Sequence, residues 1–436
     1  MPTEPNMSQT DFNQDLIAFL NASPTPFHAV ASMAERLDKA GFQALNESDS
    51  WSLETGKKYY VTRNDSSIIA FVQGKSENGF RMSGAHTDSP CLKVKPNPEM
   101  SQHGYLQLGV EVYGGVLLNP WFDRDLSLAG RVQYLDSNNQ LCSTLINYEK
   151  PIAVIPSLAI HLDRGANKER SVNPQTDIPP ILCQLGKDEK IDFRDMLKEK
   201  LIEDGHKDCQ RVMEYDLSFY DTQTPAVIGL RDEFIASARL DNLLSCYVGL
   251  QSLIHHEPGD ATALLVCNDH EEVGSQSTTG ASGPFLKSVI ERIVGVGEPF
   301  TRAMNNSMLI STDNAHGIHP NYAKKHDGNH APLLNQGAVI KVNANQRYAS
   351  TDQTSAIYQR LCEITNNKVQ HFVTRTDMGC GSTIGPITAG ELGIRTLDLG
   401  LPTFGMHSIR ELAGTQDAYT LSKTLTHFFA QSRLPF

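Results

Sequence analysis

The chain has 436 residues, 39% of them hydrophobic and 20% charged, with a formal net charge of −12. That length favours two domains over one and supplies enough apolar residues for sizeable cores. The acidic balance and the absence of a dense basic patch argue against nucleic acid as a partner, and no run of about 18 apolar residues offers a membrane span.

Taken in chain order, Met1–Thr10 is polar and reads as disordered, and Met1–Asn21 carries no basic region followed by an apolar run, so no secretory signal is expected. Asp11–Ala40 has helical spacing. Leu16, Ile17, Phe19 and Leu20 precede a proline break, and Val30, Met33, Ala34 and Leu37 follow it. Tyr59–Val72 and Gly79–Ser83 read as strands, the second leading into Gly84-Ala85-His86. Between about Leu92 and Thr224 the character changes. Tyr105–Leu118 and Leu128–Asn147 alternate like strands around turn residues, and Asn167–Pro180 reads as a polar loop. From about Asp232 helices and strands alternate. Asp241–His255, Ser382–Leu392 and Asp417–Ser432 are expected helices, while Ala261–Cys267, Met308–Ser311, Val369–Thr374 and Ile394–Leu399 are expected buried strands.

The expected fold class is therefore α/β, a mostly parallel central sheet flanked by helices with a β-rich insertion. Residues 1–91 and 232–436 would form the discontinuous catalytic domain, and 92–231 the inserted one. The eight cysteines are scattered without a CxxC pair. They read as free thiols in a reducing, cytoplasmic setting.

Five acidic or histidine features stand at the ends of these elements. His86 closes a strand, and Asp88 two residues on suits the second nitrogen of its ring. Asp241 opens a helix, where it also fits simple stabilisation of the helix dipole. Glu271 and Glu272 follow the Ala261–Cys267 strand as adjacent carboxylates whose repulsion a cation would offset. One could bind the ion while its neighbour serves as a base. Asp313 closes another strand, with His316 and His319 following. His407 lies in a glycine- and proline-rich loop. Spread along one α/β chain, these residues suit two metals sharing a carboxylate. H-E-x-x-H, G-x-S-x-G and G-x-x-x-x-G-K-[ST] are all absent, which weakens zinc-helix protease, serine hydrolase and NTPase readings.

With those residues in hand, the chain resembles the aspartyl aminopeptidase family of dizinc exopeptidases from about Phe19 to Phe429. The resemblance rests on Gly84-Ala85-His86-Thr87-Asp88-Ser89-Pro90, Asp269-His270-Glu271-Glu272-Val273-Gly274-Ser275, Ile340-Lys341-Val342-Asn343 and Gln346-Arg347-Tyr348-Ala349. It implies two divalent ions per subunit, zinc with Co2+ or Mn2+ as substitutes. His86, Asp241, Glu272, Asp313 and His407 would be ligands, with Asp241 bridging. Glu271 would be the general base and Asp88 would support His86. Substrate contacts would fall at His161, Asp313, His316, Lys341 and Tyr348, with His161 acting in a neighbouring subunit. The implied activity is release of N-terminal residues, preferentially Asp or Glu, from short peptides by a large homo-oligomer, in the family a tetrahedral dodecamer.

The residues alone leave other readings open. A dimetal carboxypeptidase or N-acyl deacylase would use a similar cradle and read a substrate carboxylate, with Arg239, Arg347 and Arg375 near the motifs. A non-catalytic scaffold holding a structural metal would need no spare base beside Glu272.

Overall fold

The computed structural model describes residues 7–75 and 78–434, which fall into two compact units. The first comprises Met1–Ser89, Pro225–Met406 and Glu411–Phe436, and the second comprises Pro90–Thr224 and His407–Arg410.

The first unit is built on a nine-stranded sheet. Its order is Gln43–Leu45, Lys58–Arg63, Ser67–Val72, Thr262–Asn268, Phe80–His86, Met308–Thr312, Arg395–Gly400, Ala338–Val342 and Val369–Val373. Pairing is mixed. Thr262–Asn268, Phe80–His86, Met308–Thr312 and Arg395–Gly400 run parallel to one another. Ser67–Val72 joins this group antiparallel on one side and Ala338–Val342 on the other. The central strands are buried along their whole length, as expected where helices cover both faces.

Alternate side chains divide between those faces. Ile68, Ala70, Leu265 and Cys267 pack with helices Gln9–Asn21, Pro26–Lys39, Leu240–Ile254, Asp352–Ile364 and Asp417–Phe429. Ile69, Phe71, Leu264 and Val266 pack with Phe285–Val294 and with residues of Glu298–Asn305. Helix entry is encoded locally. Ser8 accepts a hydrogen bond from the Asp11 amide, Pro26 occupies a first-turn position, and Thr351 with Thr354 forms a capping box. The expectation of disorder over Met1–Thr10 meets a helix already begun at Gln9, and Met1–Asn6 lie outside the described residues. A smaller five-stranded sheet in this unit contains Phe234–Ser237, Glu411–Gly414 and Pro402–Phe404.

The second unit carries a six-stranded antiparallel sheet ordered Leu141–Asn147, Leu126–Leu135, Arg211–Asp221, Cys91–Gln102, Tyr105–Tyr113 and Ile181–Gln184. It is not purely β. Helix Phe193–Glu203, capped by Asp192, buries Phe193, Leu197 and Leu201 on one ridge.

Candidate metal and catalytic site

Three neighbouring parallel strands of the first unit end together, and chemistry-bearing residues sit at their tips. His86 is the last residue of Phe80–His86. Glu271 and Glu272 follow Thr262–Asn268, and Asp313 follows Met308–Thr312. The convergence at carboxyl ends is where α/β sheets usually place ligands.

The His86 ring is fixed from one side. Its Nδ1 faces the Asp88 carbonyl at 3.0 Å and the Asp88 carboxylate at 3.3 Å. Two oxygens there call for a proton on Nδ1, so the neutral ring, as a metal ligand must be, would offer its Nε2 lone pair to the opposite side. Nε2 lies 3.5 Å from Asp241 Oδ1 and 3.5 Å from Asp313 Oδ1. Ligand atoms of His86, Asp241 and Glu272 all lie within 4.8 Å of one another. An ion with bonds of about 2.0–2.2 Å in tetrahedral array has donor edges of about 3.3–3.6 Å. The His86–Asp241 and His86–Asp313 spacings match such an edge, and the donor set is one suited to a divalent cation of the zinc class.

Asp88 does more than orient His86. Its two carboxylate oxygens accept the Glu271 and Glu272 amides, each at 3.1 Å, so one side chain ties the His86 strand to the acidic turn. His270 enters that turn with φ 63°, and its ring is held by Ser277 at 2.9 Å and Thr279 at 3.2 Å.

Asp241 is held through its backbone. Glu411 accepts its amide at 2.8 Å, and the Ser89 hydroxyl donates to its carbonyl at 2.6 Å. The Asp241–Asn242 peptide is cis, and Asn242 donates to the Thr312 carbonyl at 2.9 Å. Glu411 is buried and sits 170 positions along the chain from its partner. No local pattern marks it, and the motif reading missed it.

The electrostatics are those of buried acids crowded together. Burial alone would lower the His86 imidazole, but hydrogen bonds to Asp241, Asp313 and Asp88 and the charge of Glu271 raise it well above its ordinary value. Burial pushes Glu271 up to about 7, with His86 opposing and Asp313, Asp88 and Asp241 adding to the rise. Burial and the Asp241 charge push Glu272 up to about 10, against the pull of His86. Asp313 goes the other way. Burial would raise it, but the Lys341 ammonium and His86 hold it far below the carboxylate range. A divalent cation between these groups would relieve the repulsion that keeps Glu272 protonated.

Lys341 is a buried residue of the Ala338–Val342 strand rather than a surface lysine. Its Nζ donates to Asp313 Oδ2 at 3.2 Å and to the Asn314 carbonyl at 3.0 Å, and lies 5.2 Å from the centre of the Tyr348 ring. Tyr348 and His316 line an adjoining cavity of about 300 Å³ with Phe372, Phe404 and Cys380. Close packing and the Lys341 charge hold the His316 ring below its usual value.

The first unit thus gathers His86, Asp88, Asp241, Glu271, Glu272, Asp313, Lys341 and Tyr348, with His316 on the neighbouring cavity wall. His161 and His407 belong to the second unit. His161 lies exposed in a turn, and His407, at φ 68°, places Nδ1 3.0 Å from the Gly115 carbonyl.

Comparison with known proteins points the same way as this geometry. The family model "Aminopeptidase I zinc metalloprotease (M18)" matches residues 19–429. A Pseudomonas aeruginosa (strain LESB58) protein described as a probable M18 family aminopeptidase 2 is 58% identical over 430 residues, 98% of this chain and 100% of its own length. A chain of the cryo-EM structure of the Ape4 and Nbr1 complex superposes with a TM-score of 0.91 at 38% identity, covering 99% of this chain and 88% of its own. The S. cerevisiae mApe1 dodecamer gives 0.83 at 29% identity, covering 97% of each chain.

Proposed function

Because this chain belongs to the M18 family of zinc metallo-aminopeptidases, we propose that it releases N-terminal residues, preferentially Asp and Glu, from short peptides with Glu271 as general base. What carries this reading is the gathering of His86, Asp241 and Glu272 within 4.8 Å, with Glu271 as the spare carboxylate beside them.

In this proposal His86, Asp241, Glu272, Asp313 and His407 would hold two ions per subunit. Zinc, when bound, supplies Lewis-acid activation of water and of the scissile carbonyl. Glu271 takes the proton of the attacking water and returns it to the leaving amine, a role that suits a carboxyl pushed up to about 7. Asp88 keeps Glu271 and Glu272 in register through their amides. Asp313 accepts the substrate's free amine. Replacing Glu271 with Gln should leave zinc content unchanged and lower kcat by about 10³-fold or more. Near-normal turnover by the zinc-loaded variant would remove Glu271 from the mechanism.

Lys341 with Tyr348 and His316 is assigned to the acidic side chain of the substrate. The ammonium already shares its charge with Asp313, so an arriving carboxylate would join a pair rather than meet an isolated cation. Lys341→Ala should narrow the ratio of kcat/KM for Asp over Ala substrates by about tenfold. An unchanged ratio would sink the assignment.

A cytoplasmic location is supported by eight cysteines that are all free. Among the described residues no helix is long and apolar enough to cross a membrane. Assembly into a large homo-oligomer is supported by the dodecamer described for mApe1, and in this proposal His161 would reach a neighbouring subunit's site.

A further inference from the structure

Far from the acidic site, the first unit holds a second concave feature of opposite charge. A cavity of about 320 Å³ is lined by Arg81, Arg395 and Arg433 together with Asn78, Asn305 and Asn306. Its described walls carry no Asp or Glu, in a chain whose net charge is −12. Arg81 is the key residue, at 1% exposure. Its Nε donates to the Gln431 carbonyl at 2.8 Å. One terminal nitrogen donates to Asn306 at 2.9 Å and Phe80 at 3.2 Å, and the other to Ser432 at 3.0 Å.

These four acceptors are neutral carbonyls. They satisfy four of the five N–H groups of a guanidinium and, among the described residues, bring no counter-charge to it. Buried charges are ordinarily paired, because desolvation without a counter-charge is unfavourable. Burial accordingly holds Arg81 down at about 10, and among the described residues no carboxylate opposes it. Arg395, half-buried, and Arg433, exposed, add two more guanidinium groups around the same space. Guanidinium groups recognise phosphate through paired N–H donors, and the asparagine amides supply further donors.

We propose that this arginine-lined cavity binds a small oxyanion of the phosphate class. Arg81 is the second residue of the Phe80–His86 strand that His86 ends, so at about 3.3 Å per residue the cavity lies roughly 17 Å from the candidate metal ligands. The volume exceeds what one phosphate needs and leaves room for a phosphoryl group carried on a larger molecule.

The test follows Tm of the zinc-loaded, full-length protein in inorganic phosphate against sodium chloride at matched ionic strength. A site of this kind gives a phosphate-specific rise that follows ln(1 + [phosphate]/Kd) and reaches about 2 °C at tenfold Kd. Arg433→Glu should abolish the phosphate-specific rise while leaving peptide turnover in phosphate-free buffer within about twofold. Should that variant misfold, Arg433→Ala in the same titration decides. Phosphate captured by zinc instead would lower turnover equally in parent and variant and leave their Tm curves parallel. Parallel curves, or a rise no larger in phosphate than in sodium chloride, would overturn the proposal. A specific rise with citrate but none with phosphate would assign the cavity to carboxylates and equally overturn it.

Discussion

At the scale of single residues, buried titratable groups set both the chemistry and the acid sensitivity of this protein. His256 is a clear case outside the site. It is 2% exposed, with its ring 6.0 Å from that of Phe429, and its Nε2 meets no hydrogen-bond partner. Burial, aided by the Lys58 charge, lowers its pKa to about 4. The unfolded chain therefore binds a proton that the folded chain refuses between about pH 6.5 and 4. The stability contribution is present above pH 6.5 and is lost as pH falls through this window, about 2 kcal/mol of it by pH 5. Urea unfolding of His256→Phe at pH 7 and pH 5 should show that much less loss than the parent. Equal losses would mean the ring is already charged in the folded state. The residue scale is also where sequence reading met its limit. His86, Glu271, Glu272 and Asp313 were legible because each follows an apolar run that must be a buried strand. Glu411 and the Lys341–Asp313 pair were not, since each partnership is made only by folding and leaves no local pattern.

At the scale of elements, close approach of helix to sheet positions the site. Helix Leu240–Ile254 is buried along nearly its whole length and carries Asp241 in its first turn. Gly249 lets it lie against the strand Thr262–Asn268, where an added Cβ would stand 2.6 Å from a Leu265 methyl. Gly249→Val should therefore destabilise by about 1–3 kcal/mol in urea unfolding, and a neutral result would show that Leu265 can swing clear. Helices and buried strands of the first unit were readable because their apolar residues repeat densely at periods of 3.6 and 2. Phe193–Glu203 was missed inside a stretch that read as β-rich. It buries a single ridge of Phe193, Leu197 and Leu201 amid charged residues, too thin a stripe to stand out.

At the scale of the whole molecule, the chain leaves its first unit at Pro90 and returns at Pro225, and it also lends His407–Arg410 to the second. That brief excursion has no compositional mark, so His407 could be named from a motif but not placed. If His161 completes a neighbouring subunit's site, His161→Ala and Glu271→Gln should each be nearly inactive as homo-oligomers. Dissociated and reassembled together, they should regain measurable turnover at sites that combine an intact Glu271 with an intact His161. No recovery in demonstrably mixed assemblies would confine each site to one chain. The strand tips carry a quieter lesson. His86, Glu271, Glu272 and Asp313 are indexed by counting residues along three adjoining rungs of one ladder, and Asp88 bolts two of those rungs together. A single residue lost inside Phe80–His86 would turn the imidazole to the other face of the sheet, whereas length can drift in the surface loops without disturbing the count.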